Sequence, residues 1–330
     1  MNRKIKNSEL QRRLFLKRLL AATTASMLPL AGGQSRAASR RKSNNHSKAA
    51  PAVIRKIIPS SGEKLPVIGL GTSRTFDLGH DMGYDRSGYD NLLKVMQAFF
   101  EGGGTLIDSS PMYGSSEKVV GTLLKLIPKE QEFFSATKVW IDGEQQGKEQ
   151  MEQSRFLWGV KRFDLMQIHN LRDWNVHLKT IKRMKEEGKI RYIGITTSHG
   201  RYHPQLETIL QKESFDFVQL SYNIVDREVE QRLLPLAADR GVAVIVNRPY
   251  QRGSLFSRVR GERVPPWVEE FDCQSWGQFF LKFIISHPAV SCTIPATTKV
   301  HHMQDNMQAG FGGLPDAKTR KRMIAYYMDL

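Results

Sequence analysis

From about residue 53 the chain alternates short, almost uninterrupted apolar runs with longer stretches whose apolar positions recur every three or four residues. The short runs read as strands: Val67–Gly71, Thr105–Ile107, Phe133–Lys138, Leu165–Ile168, Ile190–Ile195, Phe217–Leu220, Val242–Val246 and Ser291–Ile294. The amphipathic stretches between them predict helices at Asn91–Glu101, Glu117–Leu124, Gly147–Trp158, Val176–Glu187, Pro204–Leu210, Glu228–Arg240, Trp276–Ser286 and Val300–Ala309. Ser115 or Ser116 stands where a cap for the Glu117 helix is expected. Ahead of this series, Val53–Ile58 and Lys64–Gly71 predict a hairpin around Pro59-Ser60-Ser61-Gly62. Strands apolar along their whole length belong in a parallel sheet covered on both faces. Eight strand–helix units then predict an α/β fold, a (β/α)8 TIM barrel preceded by an N-terminal β-hairpin. A doubly wound sheet is the alternative, but no Gly-x-Gly-x-x-Gly follows the first strand, and Gly102–Gly104 precede a strand.

The formal charge of +16 changes this picture only at the N-terminus. Residues 1–56 carry 14 Lys or Arg and one acid, leaving 35 bases and 32 acids on the rest. The folded part therefore has no basic surface of the kind that binds nucleic acid. Residues 1–37 resemble a twin-arginine export signal. Arg12-Arg13 precede a moderately apolar stretch, and Ser35-Arg36-Ala37 offers small residues for cleavage near Ala37, with Gln11 where Ser or Thr is usual. Lys17, Arg18 and Pro29 interrupt any run of about 20 apolar residues, so no stable membrane insertion is expected. The expectation is an exported, periplasmic protein that engages the twin-arginine export machinery. Residues 38–52 form a basic flexible linker, and 53–330 the barrel. Cys273 and Cys292 show no metal-ligand spacing and are expected as free thiols.

Polar residues at strand ends carry the candidate chemistry, because the C-terminal ends of barrel strands share one face. Asp108 ends the second predicted barrel strand and Tyr113 follows it; Lys138 ends the third, and His169 follows the fourth. Singly, these residues read as well as a capping acid, a loop phenol, a solvated lysine and a core histidine. Together they form a proton-transfer set. A phenol titrates near about 10, an adjacent ammonium favours its phenolate, a carboxylate holds that ammonium charged, and a neutral imidazole polarises a carbonyl oxygen.

In these residues and their flanks the chain resembles the aldo-keto reductase superfamily, from about residue 54 to 312. The matching segments are Gly69-Leu70-Gly71-Thr72, Asp108 to Glu117, Thr137-Lys138-Val139-Trp140, Asp164 to His169, Gly188 to Gly194, Val218 to Asn223, and Ile294-Pro295-Ala296-Thr297 with Asn306. The resemblance implies catalytic roles for Asp108, Tyr113, Lys138 and His169, with Tyr113 as general acid/base in NADP(H)-dependent reduction of an aldehyde or ketone, or oxidation of the alcohol. It implies nucleotide contacts at Gly71, Thr72, Thr196, Thr197, Gln219, Asn247, Arg248, Pro249, Tyr250, Gly253, Ala296, Thr297, Lys299, His302 and Asn306. Thr196-Thr197 stand where Ser-Asn is usual, and Asn247 where an aromatic residue often stacks on the nicotinamide. Ala296 and His302 replace the customary Lys and Arg at the 2′-phosphate, which keeps NAD(H) open beside NADP(H). Phe76, Trp140 and Trp174, with Tyr84 nearby, are the expected substrate walls. Two other readings stand beside catalysis of this kind. One is a cofactor-binding regulatory or partner subunit with little turnover; the other is an oxidoreductase that retains its nucleotide.

Overall fold

The computed structural model describes residues 52–79 and 86–330. The expected export signal, nearly all of the expected linker and Tyr84 lie outside the described residues. β1 (Arg55–Ile57) and β2 (Lys64–Pro66) pair antiparallel as the expected hairpin. The strands and helices that follow are β3 (Leu70–Gly71), α1 (Arg86–Glu101), β4 (Leu106–Asp108), α2 (Ser116–Leu124), β5 (Phe134–Val139), α3 (Glu144–Trp158), β6 (Phe163–Ile168) and α4 (Trp174–Glu186). Next come β7 (Ile190–Thr196), α5 (His203–Lys212), β8 (Phe217–Ser221), α6 (Leu233–Asp239), β9 (Ala243–Asn247), the short α7 (Leu255–Arg258), α8 (Trp276–Ile285), β10 (Val290–Thr293), α9 (Val300–Gln308) and α10 (Ala317–Asp329).

β3 to β10 form one sheet of eight parallel strands in sequence order among the described residues. Its two edges meet. Ile68 bridges Thr293, Gly69 N donates to Thr293 O at 2.8 Å, and Gly71 N donates to Pro295 O at 3.0 Å. Gly71 permits this closure, because a Cβ there would lie 2.7 Å from the Ile294 carbonyl oxygen. The arrangement is that of the expected (β/α)8 barrel.

Two apolar layers follow from the alternation of side chains along the strands. Leu106, Phe134, Leu165, Tyr192, Phe217 and Ile245 pack together inside the sheet, joined by Ile58 and Leu65 of the hairpin. Their opposite-facing neighbours pack against the helices. Each such side chain, fully buried, contributes roughly 1.5–3 kcal/mol. The hairpin is tied down by polar contacts as well. Tyr192 donates to Glu63 Oε2 at 2.7 Å, and the Lys56 ammonium donates to the carbonyls of Ile285, His287 and Val290 at 2.7, 2.8 and 2.7 Å. Burial, and after it Arg320, pushes the Lys56 pKa down to about 8.

Several expectations need correction. The Glu228–Arg240 stretch is a single 3-10 turn followed by the shorter α6. α10 falls where no element was expected, and its buried face is Arg320, Met323 and Tyr327. Ser115 occupies the cap position of α2 without capping it; its hydroxyl donates to Asp77 Oδ1 at 2.9 Å and accepts from Leu78 N at 2.8 Å. That contact stitches the loop after β3 to the loop carrying Tyr113. Among the described residues no helix is long and apolar enough to cross a membrane.

Candidate active site

The site lies at the C-terminal ends of the strands, around a cavity of about 890 Å³. β4 delivers Asp108 and β5 delivers Lys138, each buried because its side chain points inward near the end of its strand. Lys138 Nζ donates to Asp108 Oδ1 at 2.5 Å and to Ser109 O at 2.8 Å. Burial alone would pull the Lys138 pKa down, but Asp108, and then Tyr113, hold it above its ordinary value. The second Asp108 oxygen, Oδ2, accepts from Gln167 Nε2 at 3.0 Å and from Gln219 Nε2 at 2.9 Å. Asp108 is thus held by an ammonium and two amides.

Tyr113 is half-buried on the cavity floor, with the Lys138 ammonium 5.2 Å from its ring centroid. The net direction of its titration differs from the sequence expectation. Burial pushes the phenol pKa up, and Lys138 offsets this only in part. His169 stands edge-on to Tyr113, with ring centroids 5.7 Å apart. Its pKa is held well below the ordinary value by burial and by Lys138, so the imidazole is neutral near pH 7. Ser110 Oγ, which accepts from Met112 N at 3.2 Å, lies 2.9 Å from His169 Nδ1. With that hydroxyl donating to Nδ1, the network places the ring proton on Nε2, where it can be donated. Behind these groups Glu117 is buried, accepting from Thr137, Ser154 and Trp158 at 2.5, 2.8 and 3.2 Å. It fixes α2, and with it the Tyr113 loop, against β5 and α3.

Asp108, Tyr113 and His169 line the cavity, and Lys138 is wholly buried beneath them. Gly71, Thr72, Thr196, Gln219, Asn247, Arg248, Pro249, Tyr250, Gly253, Ala296, Thr297, His302 and Asn306 also line it; Thr197 and Lys299 do not. Asn247 is fully engaged as an amide, accepting from Ser221 Oγ at 2.7 Å and donating to Thr197 O at 2.9 Å. Tyr250 donates to Asn306 Oδ1 at 2.6 Å.

Phe76, Trp140 and Trp174, the expected substrate walls, are not among the residues that line the cavity. Phe76 is completely buried in the outer core, Trp140 lies beneath the Arg172 guanidinium at 4.9 Å with its ring centroid 6.4 Å from that of His169, and Trp174 packs half-buried against the core. Sequence reasoning also passed over Gln167. Its signal was a polar residue one place before the end of an apolar strand, much as Gln219 stands two places before the end of β8. Gly194 on the neighbouring strand leaves room for it, since a Cβ there would lie 2.9 Å from Gln167 Cγ.

The sequence model of the Aldo/keto reductase family matches residues 67–321. The chain belongs to that family. It is 29% identical over 195 residues to an NADH-specific methylglyoxal reductase of Escherichia coli, a match covering 49% of this chain and 57% of that protein. A second Escherichia coli relative, methylglyoxal reductase YeaE, is 28% identical over 262 residues, 76% of this chain and 88% of the relative. An aldo/keto reductase from Klebsiella pneumoniae, solved in complex with NADP and acetate, shares the fold with a TM-score of 0.64 at 20% identity. That likeness covers 81% of this chain and 93% of the other.

The cavity suits a nicotinamide nucleotide. Its lining includes both Tyr113 and Asn306, and its volume is of the size that holds a cofactor (about 300–1,000 Å³). Asn170 Oδ1 is buried without a partner beside His169, on a backbone held at φ 52°, and offers an acceptor to an amide donor such as a carboxamide.

Proposed function

We propose that this chain is a nicotinamide-nucleotide-dependent carbonyl reductase, working in reverse as an alcohol dehydrogenase, with Tyr113 as its general acid/base. The observation that carries the reading is the buried Asp108–Lys138 pair lying under Tyr113 and His169 where these two face the cavity. When bound, the nucleotide supplies or accepts the hydride. Thr72, Thr196, Gln219, Tyr250, Thr297 and Asn306 are the residues that would hold it. His169 donates from Nε2 to the carbonyl oxygen and orients it. Tyr113 gives its proton to that oxygen as negative charge develops there. Lys138 stabilises the phenolate left behind, and Asp108 keeps Lys138 charged and in place. In the alcohol direction the same groups return the proton. The regulatory-subunit alternative gains no support from the named relatives, which are reductases. The test is consumption of NADH or NADPH on addition of methylglyoxal, followed by nucleotide absorbance. A folded, nucleotide-loaded protein that leaves the nucleotide unchanged overturns the reading.

Nucleotide choice should be weak. The far end of the cavity presents Ala296, His302 and Asp305. Burial, and then His301 and Lys299, lower the His302 pKa, so at pH 7 it carries no charge to meet a 2′-phosphate. Asp305 accepts from Ser275 Oγ at 2.6 Å and Gln278 Nε2 at 2.7 Å, which keeps a carboxylate beside that position. A charge-assisted contact is worth roughly 1.5–3 kcal/mol, or about tenfold to a hundredfold in affinity. Both nucleotides are expected to bind, and His302→Arg should shift preference toward NADPH by about that factor. Because His302 gains its charge only in acid, the wild-type preference for NADPH should rise as pH falls below neutral. Fluorescence titration with each nucleotide checks this, and a wild-type preference for NADPH above about a thousandfold would contradict it.

Export through the twin-arginine route is proposed on the sequence of residues 1–37 alone. Replacing Arg12-Arg13 by Lys-Lys conserves charge and removes the guanidinium pair, so it should leave the protein in the cytoplasm. Fractionation that finds as much mature periplasmic protein as in wild type contradicts this proposal.

A further inference from the structure

The catalytic end of the cavity has a different character from the aromatic enclosure expected from sequence. Beside Met112 and Tyr113 it is lined by Ser73, Arg74, Thr75, Asn170, Arg248 and Arg252. Arg248 is half-buried, and Arg74 and Arg252 are exposed at the mouth. Each of the three holds a left-handed backbone, with φ of 51°, 65° and 58° respectively. Non-glycine residues adopt that conformation at a cost, and it concentrates where function requires it. No carboxylate forms a salt bridge with any of the three among the described residues.

Asp226, the acid that acts on Arg248, accepts from Asn223 Nδ2 at 2.9 Å and Gln251 Nε2 at 3.0 Å. Burial and then Arg252 disfavour the charge on Arg248, Asp226 offsets this in part, Arg74 adds a smaller repulsion, and Arg248 acts in turn on the Tyr113 phenol. Three like charges gathered beside a cavity, with no carboxylate bonded to them among the described residues and Asp226 as the one acid that acts on Arg248, make a site for an anion.

We infer that the carbonyl substrate carries an anionic group, a carboxylate or phosphate, received by Arg248 with Arg74 and Arg252 beside it. The inference rests on the carbonyl-reductase reading above for its substrate, but the anion site itself does not depend on turnover. A guanidinium pairs with either oxyanion through parallel N–H donors, and a neutral carbonyl compound leaves the three charges unanswered. The pyrophosphate of the nucleotide is the other source of the same chemistry, and the experiment separates the two.

A series of short ω-oxo acids, from glyoxylate upward, is compared with the corresponding amides, which have nearly the same shape and no charge. Binding of the matching dicarboxylates and diamides is measured by calorimetry, with and without nucleotide. At least one acid should exceed its amide by about tenfold to a hundredfold in kcat/KM, chiefly through KM. Its dicarboxylate should outbind the diamide by a similar factor, and added salt should erode the difference. In Arg248→Gln both ratios should fall toward one, with Arg248→Lys restoring part of them. Ratios near one throughout the wild-type series would overturn the inference. It would equally be overturned if Arg248→Gln weakened nucleotide binding while lowering acid and amide turnover alike, since the arginines would then serve the pyrophosphate. Selective dicarboxylate binding with no carbonyl reduced would uphold the anion site and sink the reductase reading instead.

Discussion

Tyr113→Phe is expected to bind nucleotide as the wild type does and to lose about 10²–10⁴-fold in the rate of carbonyl reduction, the usual worth of a positioned general acid. The substitution removes one hydroxyl and leaves the ring against His169 and over Lys138, so packing changes little. The measurement is single-turnover reduction of methylglyoxal by protein loaded with nucleotide. The pH profile adds a second check. The phenol must be protonated to act as an acid, and burial holds its pKa above the ordinary value. Reduction should therefore show no loss attributable to Tyr113 as pH rises from neutral to about 10, its reference value. His169 must be neutral to orient the carbonyl as proposed, and its depressed pKa keeps it so from neutral pH down past its ordinary titration. Equal single-turnover rates in the two proteins would remove Tyr113 from the chemistry and leave the four residues as structure alone.

Lys138→Met should damage both activity and stability. The ammonium is completely buried and is the sole cation bonded to Asp108 among the described residues. Taking it away leaves a buried carboxylate with only the Gln167 and Gln219 amides, and breaking such a pair typically costs about 3–5 kcal/mol. The phenolate formed in each turnover also loses its stabilising charge, so a rate loss of about a hundredfold or more is expected. Adding Asp108→Asn separates the two effects. The double variant has no buried charge to strand, so it should regain much of the stability while its activity stays low. The Lys138 pKa is raised on folding, so the stabilisation it provides is fully present below the unfolded value near 10.5 and fades only as pH climbs through the folded value. The gap in denaturation midpoint between wild type and Lys138→Met should therefore be constant from neutral pH up to about 10. A Lys138→Met protein as stable and as active as wild type would contradict the assigned role.

The barrel was legible in the sequence because its cause is local. A parallel strand buried on both faces must be apolar along its whole length, and a helix covering it must be apolar on one side, so the beat of the elements survives in one dimension. Asp108, Tyr113, Lys138 and His169 were legible for a related reason. They interrupt or follow apolar strands at the ends that the topology brings to one face, and their order and flanks match a family. Where the governing partner is distant in sequence, the pattern was silent. α10 docks through Arg320, which donates to Tyr222 Oη at 2.5 Å and Glu230 Oε1 at 2.6 Å, so its buried face does not read as an apolar stripe. Phe76 reads as a substrate wall because aromatic residues in loops often serve so, and Trp140 through the family resemblance; the fold packs Phe76 wholly into the core and sets Trp140 against Arg172 and His169. The burial that raises the Tyr113 pKa and the two amides on Asp108 depend on atoms contributed by several strands. The convergence of Arg74, Arg248 and Arg252 on one cavity likewise joins loops more than 170 positions apart in the chain. The sequence alone determined the order of the elements and the chemistry available at their ends. Only the tertiary structure decided which of those groups meet, because charge, burial and contact between remote segments arise when the sheet closes on itself.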